Sequence, residues 1–443
     1  MAVFSPKNLN MMSPRNRITV KALIVVALIL LLLIPTFMID NLVSERMQRQ
    51  ENAFVEVSDK WARQQTIAGP IVSIPYKEFY KDTSGTVREL RKYIHVLPDL
   101  LKIDGSVLPE LRYRGIYEIV VYGSQVKLEG NFSNLINQNY NVRNEDILFD
   151  EAFLSVGISD LKGLEDQITL QWNNKQYSFN SGIESNDVLE SAIHADLRLD
   201  DNDSVNGNFN FSLQLNLKGS TSLFFAPIGK ETLVNLKSKW TTPSFDGAFL
   251  PDKRTVDVNG FDAYWKVLHL NRSYPQFWLN DKNSLSGSEF GINLILPIDS
   301  YTKTDRSIKY AILFIALTFL IFFFLELLNN KSVHPLQYIL IGFALCIFYV
   351  LLLSFSEHIS YNLAYLIASV MTIGLITWYA RSILHERKLA MLVGGNLVIL
   401  YGFIFTIIQI EDYALLMGSL GLFIILAAVM YFSKKISWSE LGK

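Results

Sequence analysis

A charged side chain set among apolar residues is costly to bury, so such positions are the first places to look for chemistry. Four stand out in the last third of this chain: Glu326, His334, Glu357 and His358. A carboxylate beside an imidazole can form an ion pair, pass a proton, or act as acid and base. Glu326 lies one turn before the end of an apolar run, placed to pair with Lys331 or His334 across a short turn. Pro335 then suits the first turn of the next helix. Glu357 and His358 stand together at the far end of that helix, about 30 Å away across a membrane, so the two groups cannot make one compact site. Anchoring of helix ends is the plainer role for all four, and a functional site is the alternative. Asn396, inside a later run, suits a bond to a neighbouring helix.

Elsewhere the chemistry is sparse. The patterns G-x-x-x-x-G-K-[ST], G-x-G-x-x-G, H-E-x-x-H and G-x-S-x-G are all absent, which removes the commonest phosphate, dinucleotide, zinc and hydrolase signatures. The single cysteine, Cys346, excludes an intrachain disulfide and any site built on two or more cysteines. Residues 200–204 (DDNDS) resemble the start of a calcium loop, yet position 12 falls on Phe211 or Ser212 instead of glutamate, so a solvated turn is expected. His194 and Asp196 alternate along one strand and read as a wet strand face. No catalytic, cofactor-binding or metal-binding residues are therefore expected, and no cofactor.

The elements that must hold these residues follow from the charge distribution. The chain has 443 residues, of which 19% are charged, with a net charge of −2 and a mean hydropathy of +0.23. Residues 1–40 carry +3, residues 41–307 carry −7 from 28 basic and 35 acidic side chains, and residues 308–443 carry +2. The middle block is an ordinary soluble composition between two apolar ends. There is no basic excess to suggest a nucleic-acid partner. Residues 22–39 form an uncharged run spanning roughly 27 Å, and no small-residue cleavage pattern follows, so an uncleaved signal anchor is expected. Five more runs, near 310–328, 336–355, 361–380, 389–409 and 413–432, are long enough to be helices and too long for membrane strands.

Lysine and arginine then orient the spans. They fall in the N-terminal segment, in the links around Lys331 and Arg381–Lys388, and in the tail; the alternate links carry Glu357, Glu411 and Asp412. All basic links share one side if both termini are cytoplasmic. The expected organisation is a basic cytoplasmic N-terminus (1–21), a transmembrane signal anchor (22–40), a periplasmic β-rich domain (41–307), a five-helix transmembrane domain (308–433) and a cytoplasmic tail (434–443). The fold class is thus a membrane α+β protein with six spans in total.

Within the middle block, residues 209–217 (FNFSLQLNL) alternate apolar and polar, as a half-buried strand does. Residues 193–199 repeat the pattern, with His194, Asp196 and Arg198 on the polar face. Residues 117–121 and 126–132 read as a strand pair divided at Gly123 and Ser124. Mainly antiparallel sheets are expected, as a sandwich or as curved sheets. Residues 44–65 suit a helix continuing out of the first span. Gly69-Pro70 and Ile74-Pro75 suggest an edge strand or tight turn. Pro243 to Gly247 carries turn chemistry flanked by Trp240, Phe245 and Phe249, read as a loop pinned by aromatics, with an exposed recognition patch as the alternative. Asp305, Arg306 and Lys309 precede the second span, where they could meet lipid headgroups or the helix end.

Several segments together resemble the CreD family of bacterial inner-membrane proteins, described as cell-envelope integrity proteins. They are residues 32–46 (LLIPTFMIDNLVSER), 61–76 (WARQQTIAGPIVSIPY), 242–261 (TPSFDGAFLPDKRTVDVNGF) and 304–358, which contains TDRSIKYAILFIALTF and HPLQYILIGFALCIFYVLLLSFSEH. The resemblance covers the chain from the first span onward and leaves out residues 1–13. It implies a multi-pass inner-membrane protein with a role in envelope integrity or stress, and it supplies no reaction, cofactor or catalytic residue. The expected function is non-enzymatic: a periplasmic β domain that senses or binds an envelope component, with the lipid bilayer and an envelope protein, lipid or glycan as partners. Two alternatives stand beside it. A transporter or channel needs a polar cavity among the helices, and a membrane-embedded enzyme needs acid, base or metal ligands converging near Glu357, His358 and Asp412.

Overall fold

The computed structural model describes residues 14–135, 142–199, 207–296, 300–329, 331–410 and 413–434. The chain divides into two compact units, one made of residues up to Glu51 and from Ile298 onward, the other of Asn52–Pro297. Among the described residues, six helices are long and apolar enough to cross a membrane. Residues 200–204, where a turn is expected, and Glu411 and Asp412 lie outside the described residues.

The first unit begins with helix α1 (Pro14–Trp61), which runs well past the apolar segment. Its polar part keeps helical form through i,i+4 pairs such as Glu45–Arg49, at 2.6 Å. The expected helix beyond the first span is therefore present, ending at Trp61 and not Gln65. A short helix not foreseen from the sequence, α2 (Ser300–Lys309), precedes α3 (Ala311–Leu328), α4 (Pro335–Ser356), α5 (Tyr361–Leu384), α6 (Arg387–Gln409) and α7 (Ala414–Lys434). Pro335 occupies the first turn of α4, where its missing N–H costs nothing. His385 ends α5 in the left-handed conformation. Short links make α4, α5 and α6 consecutive packing neighbours.

The second unit is built from strands. In chain order the first are β1 (Gln65–Lys81), β2 (Val87–Val96), β3 (Leu100–Arg114), β4 (Tyr117–Ser133), β5 (Phe153–Ile158), β6 (Thr169–Trp172), β7 (Lys175–Ser178) and β8 (Asn180–Ser181). There follow β9 (Ala192–Asp196), β10 (Asn208–Ser220), β11 (Ser222–Phe225), β12 (Glu231–Ser238), β13 (Pro243–Gly247), β14 (Lys253–Asp257), β15 (Gly260–Leu268), β16 (Phe277–Leu279) and β17 (Phe290–Leu294). Among the described residues they form two sheets. One has the order β13-β17-β11-β1-β5-β9-β8, with β2 beside β1 and β16 beside β2; the other has the order β14-β15-β12-β3-β4-β10-β6-β7. All neighbours are antiparallel except β1 with β11 and β12 with β3.

The two-residue period of strands explains the core. In the second sheet Leu213, Leu128, Ile103, Val234 and Trp265 lie opposite one another across five strands, and all are buried. One residue further along, the row reads Gln214, Lys127, Asp104, Asn235 and Tyr264 on the wet face. Val72, Ile74, Ile94 and Val156 from the first sheet join that buried row in a single core. The last turns of α1 close one end, with Ala53, Phe54, Val57 and Trp61 against Ile119 and Val121.

Four local readings are corrected. Gly123 and Ser124 do not divide two strands: β4 runs straight through them, with Leu108 opposite Gly123 and Leu217 opposite Ser124. Pro70 sits inside β1, which is paired on both sides, at a bulge between Ala68 and Ile71. A bulge spares the ladder the hydrogen bond that proline cannot donate. The segment from Pro243 to Gly247 is the edge strand β13, paired with β17, not a loop; Phe245 still packs edge-on against Trp265, with centroids 5.8 Å apart. Strand β9 stops at Asp196, and Arg198 beyond it has a positive φ of 47°.

Candidate functional site

In the membrane unit, Glu326 is buried near the end of α3. Its Oε1 accepts the Val333 backbone N–H at 3.0 Å and forms an ion pair with Lys21 Nζ of α1, while Tyr338 OH donates to Oε2 at 3.3 Å. The expected partners are elsewhere. Lys331 pairs with Glu386 at 2.9 Å, and His334 Nδ1 accepts the Leu336 N–H at 3.2 Å as the cap of α4. Glu386 engages Lys331 and the α4 cap engages His334, whereas Lys21 reaches Glu326 from α1.

Glu357 caps the other end of α4. It accepts from Tyr301 OH at 3.2 Å and faces Arg46 Nε of α1 at 3.6 Å. His358 is exposed. Each carboxylate therefore receives one cation from α1 and one tyrosine hydroxyl. Lys21 and Arg46 are 25 positions apart on one helix, about 37 Å at 1.5 Å per residue, which is the hydrocarbon core plus part of each interface. The sequence-predicted residues come together as two separate clamps on α1, not as one site.

Between the clamps the bundle is filled by rings. Phe314, Phe348, Tyr349, Tyr365 and Tyr401 are all buried; the Phe314 and Tyr401 centroids are 4.5 Å apart, and those of Phe348 and Tyr401 4.8 Å. Tyr365 OH donates to the Tyr401 carbonyl at 2.9 Å. Asn396 does not reach another helix as expected: its amide donates to the Leu392 carbonyl one turn back, at 2.9 Å. A backbone acceptor on the same helix is always within reach, so no neighbouring side chain was needed. Asn396 is also the one polar residue lining a groove of about 300 Å³ between α3, α6 and α7.

The β unit holds an arrangement that sequence reasoning missed. Ser73 of β1 lies opposite His95 of β2, and Ser73 Oγ is 2.9 Å from His95 Nδ1. His95 Nε2 in turn is 3.3 Å from Asp187 Oδ2. Burial pushes the His95 pKa below its usual value, partly offset by the Asp187 carboxylate. The contacts resemble a Ser-His-Asp triad in order, but the backbone around Ser73 is paired with β2 on one side and β5 on the other. Amides committed to a ladder cannot serve as an oxyanion hole. The available signal was a lone polar residue in each of two apolar strands, IVSIPY and YIHVLP; nothing local pointed to Asp187.

His194 corrects a further expectation. It is buried, only 7% exposed, and not on a wet face. Its Nδ1 is 3.1 Å from the Gly182 carbonyl and its Nε2 is 3.5 Å from Glu184 Oε1. Among the described residues, no three His, Cys, Asp or Glu side chains are placed to hold a metal ion.

Comparison with known proteins adds the following. The profile of the CreD family, described as inner membrane protein CreD, matches residues 17–439. Inner membrane protein CreD of Escherichia coli (strain K12) is 31% identical over 415 residues, which covers 93% of this chain and 91% of that protein.

Proposed function

We propose, from the premise that this chain belongs to the CreD family of inner membrane proteins, that it works without catalysis as a multi-pass inner-membrane protein supporting envelope integrity. In this reading both termini are cytoplasmic, and the two-sheet domain is periplasmic and binds or senses an envelope component. The observation that carries it is the pairing of a large, self-contained β domain with a helical bundle whose interior is packed with phenylalanine and tyrosine. A transporter needs polar groups lining a route between its helices. The bundle core described above is aromatic, and the clamped carboxylates sit at its two ends, so transport is the weaker reading. The Ser73 surroundings likewise count against hydrolysis.

The test is affinity capture of the full chain from cross-linked envelopes, together with deletion of its gene. Specific retention of an envelope protein, lipid or glycan, and sensitivity of the deletion strain to envelope stress, are expected. Recovery of the protein alone, combined with an unaffected deletion strain, would sink the proposal.

A further inference from the structure

Two edge strands come together at one end of the β unit. Among the described residues β13 closes the first sheet, paired only with β17, and β14 closes the second, paired only with β15. The strand period sorts their side chains. Pro243 and Phe245 lie opposite the buried Leu294 and Ile292, and Arg254 and Val256 lie opposite the buried Ala263 and Phe261, so all four face inward. They do not fill the end of the core. Pro243, Ser244, Phe245, Arg254 and Val256 line a groove of about 550 Å³ shared by the two edges. Phe245 is fixed there edge-on against Phe261 and Trp265, each with its centroid 5.8 Å away.

We propose that this groove receives an extended segment of an envelope protein, which adds to β14 as a further strand and sets a carboxylate side chain on Arg254. The proposal rests on the reading of the β domain as a binder of an envelope component, and it selects protein from the classes named there.

Charge selects the ligand. Among the described residues lining the groove, Arg254 alone is ionisable. Arg88, Arg91, Arg112 and Arg114 of β2 and β3 each hold a carboxylate. Arg254 instead lies over the Phe245 ring, 5.6 Å from its centroid, and among the described residues no carboxylate pairs with it. A guanidinium laid on a ring keeps its N–H donors for a planar acceptor with two oxygens.

The backbone selects the strand. All five residues of β14 are exposed, and they pair with β15 one for one without a bulge. That leaves about 17 Å of ladder open on one side, the template for strand addition. Edges are commonly blunted by proline, by a bulge or by charge. Strand β14 has neither proline nor bulge, and Lys253 and Asp257 fall on its opposite face. Strand β13 is blunted. Pro243 has no N–H to give, while Asp246 accepts the Gly247 N–H at 2.8 Å and the Asn293 amide at 3.0 Å. Val256, half-exposed in the groove, offers the added strand an apolar contact two residues from Arg254.

The test is selection of displayed random heptapeptides on the full-length protein in detergent, run in parallel on Arg254→Gln. Sequences taken by the parent should carry Asp or Glu two positions from an apolar residue. As free peptides they should bind the parent roughly tenfold more tightly than they bind Arg254→Gln, the order expected of a charge-assisted pair. Replacing their acid by its amide should cost the parent the same factor and leave Arg254→Gln nearly unchanged. Binding should slow hydrogen exchange at 253–257 and not at 243–247. Selection without an acidic position, equal binding by parent and Arg254→Gln, or slowing at β13 in place of β14 overturns the proposal. So does an oligomer that Arg254→Gln dissociates, which would assign the edge to a second copy of this chain. The proposed role of the domain keeps its own test in each case, because specific retention of a glycan, a lipid or a protein bound elsewhere would still support it.

Discussion

At the scale of single residues, the most exposed dependence is that of Glu326 on Lys21. A buried carboxylate stripped of its cation retains the desolvation cost without the compensating attraction. Lys21→Met should therefore lower stability by an amount approaching ~3–5 kcal/mol, reduced because Lys21 is partly exposed. Thermal unfolding in detergent would register the loss, and Lys21→Met/Glu326→Gln should recover part of it. In the β unit, Gln65 is fully buried at the start of β1, and its amide donates to the carbonyls of Asp160 and Lys218. Gln65→Leu should cost about 1–3 kcal/mol by orphaning both acceptors, measurable by denaturant unfolding. Sequence identified Glu326 and Glu357 as unusual because charge among apolar residues is a local signal. It could not identify Lys21 or Arg46 as their partners, since those contacts span most of the chain. Ser73 and His95 were hidden for the same reason: only strand pairing makes them neighbours.

Elements were more legible than contacts. Span positions followed from length and hydropathy, and the alternation in β10 marked its buried face directly. Where readings failed, pairing overrode local chemistry. Gly123 and Pro70 look like breaks, but long ladders on either side carry β4 and β1 through them. The turn residues of β13 became a strand because β17 offers an edge. The helix α2 was missed because most of its residues are polar, and three of the four it buries, Tyr301, Thr304 and Ser307, carry hydroxyls instead of a plain apolar signal. Glycine can also be required inside a strand for reasons no propensity reveals. At Gly130, an added Cβ would stand 1.8 Å from the Leu100 carbonyl oxygen of the paired strand β3. Gly130→Ala should thus force β3 and β4 apart and cost about 2 kcal/mol or more, seen as raised protease sensitivity of the β unit, with the helices unaffected.

For the whole molecule, the distribution of basic links makes a topology prediction. Alkaline phosphatase inserted at the exposed turn of Gly85 should be active, while a fluorescent protein fused to the C-terminus should fluoresce; the opposite pair of results would invert the proposed orientation. The two clamps on α1 also bear on the order in which the protein is made. Lys21 and Glu326 are 305 residues apart, so at roughly 5–20 residues per second a ribosome needs about 15–60 s to supply the second after the first. Throughout that interval the opening helix resides in the bilayer with its cation unanswered. Docking of α1 is consequently a late event that only a finished chain can complete. A product cut short before α3 would leave its first helix loose in the lipid, where quality-control proteases can distinguish it from the assembled form.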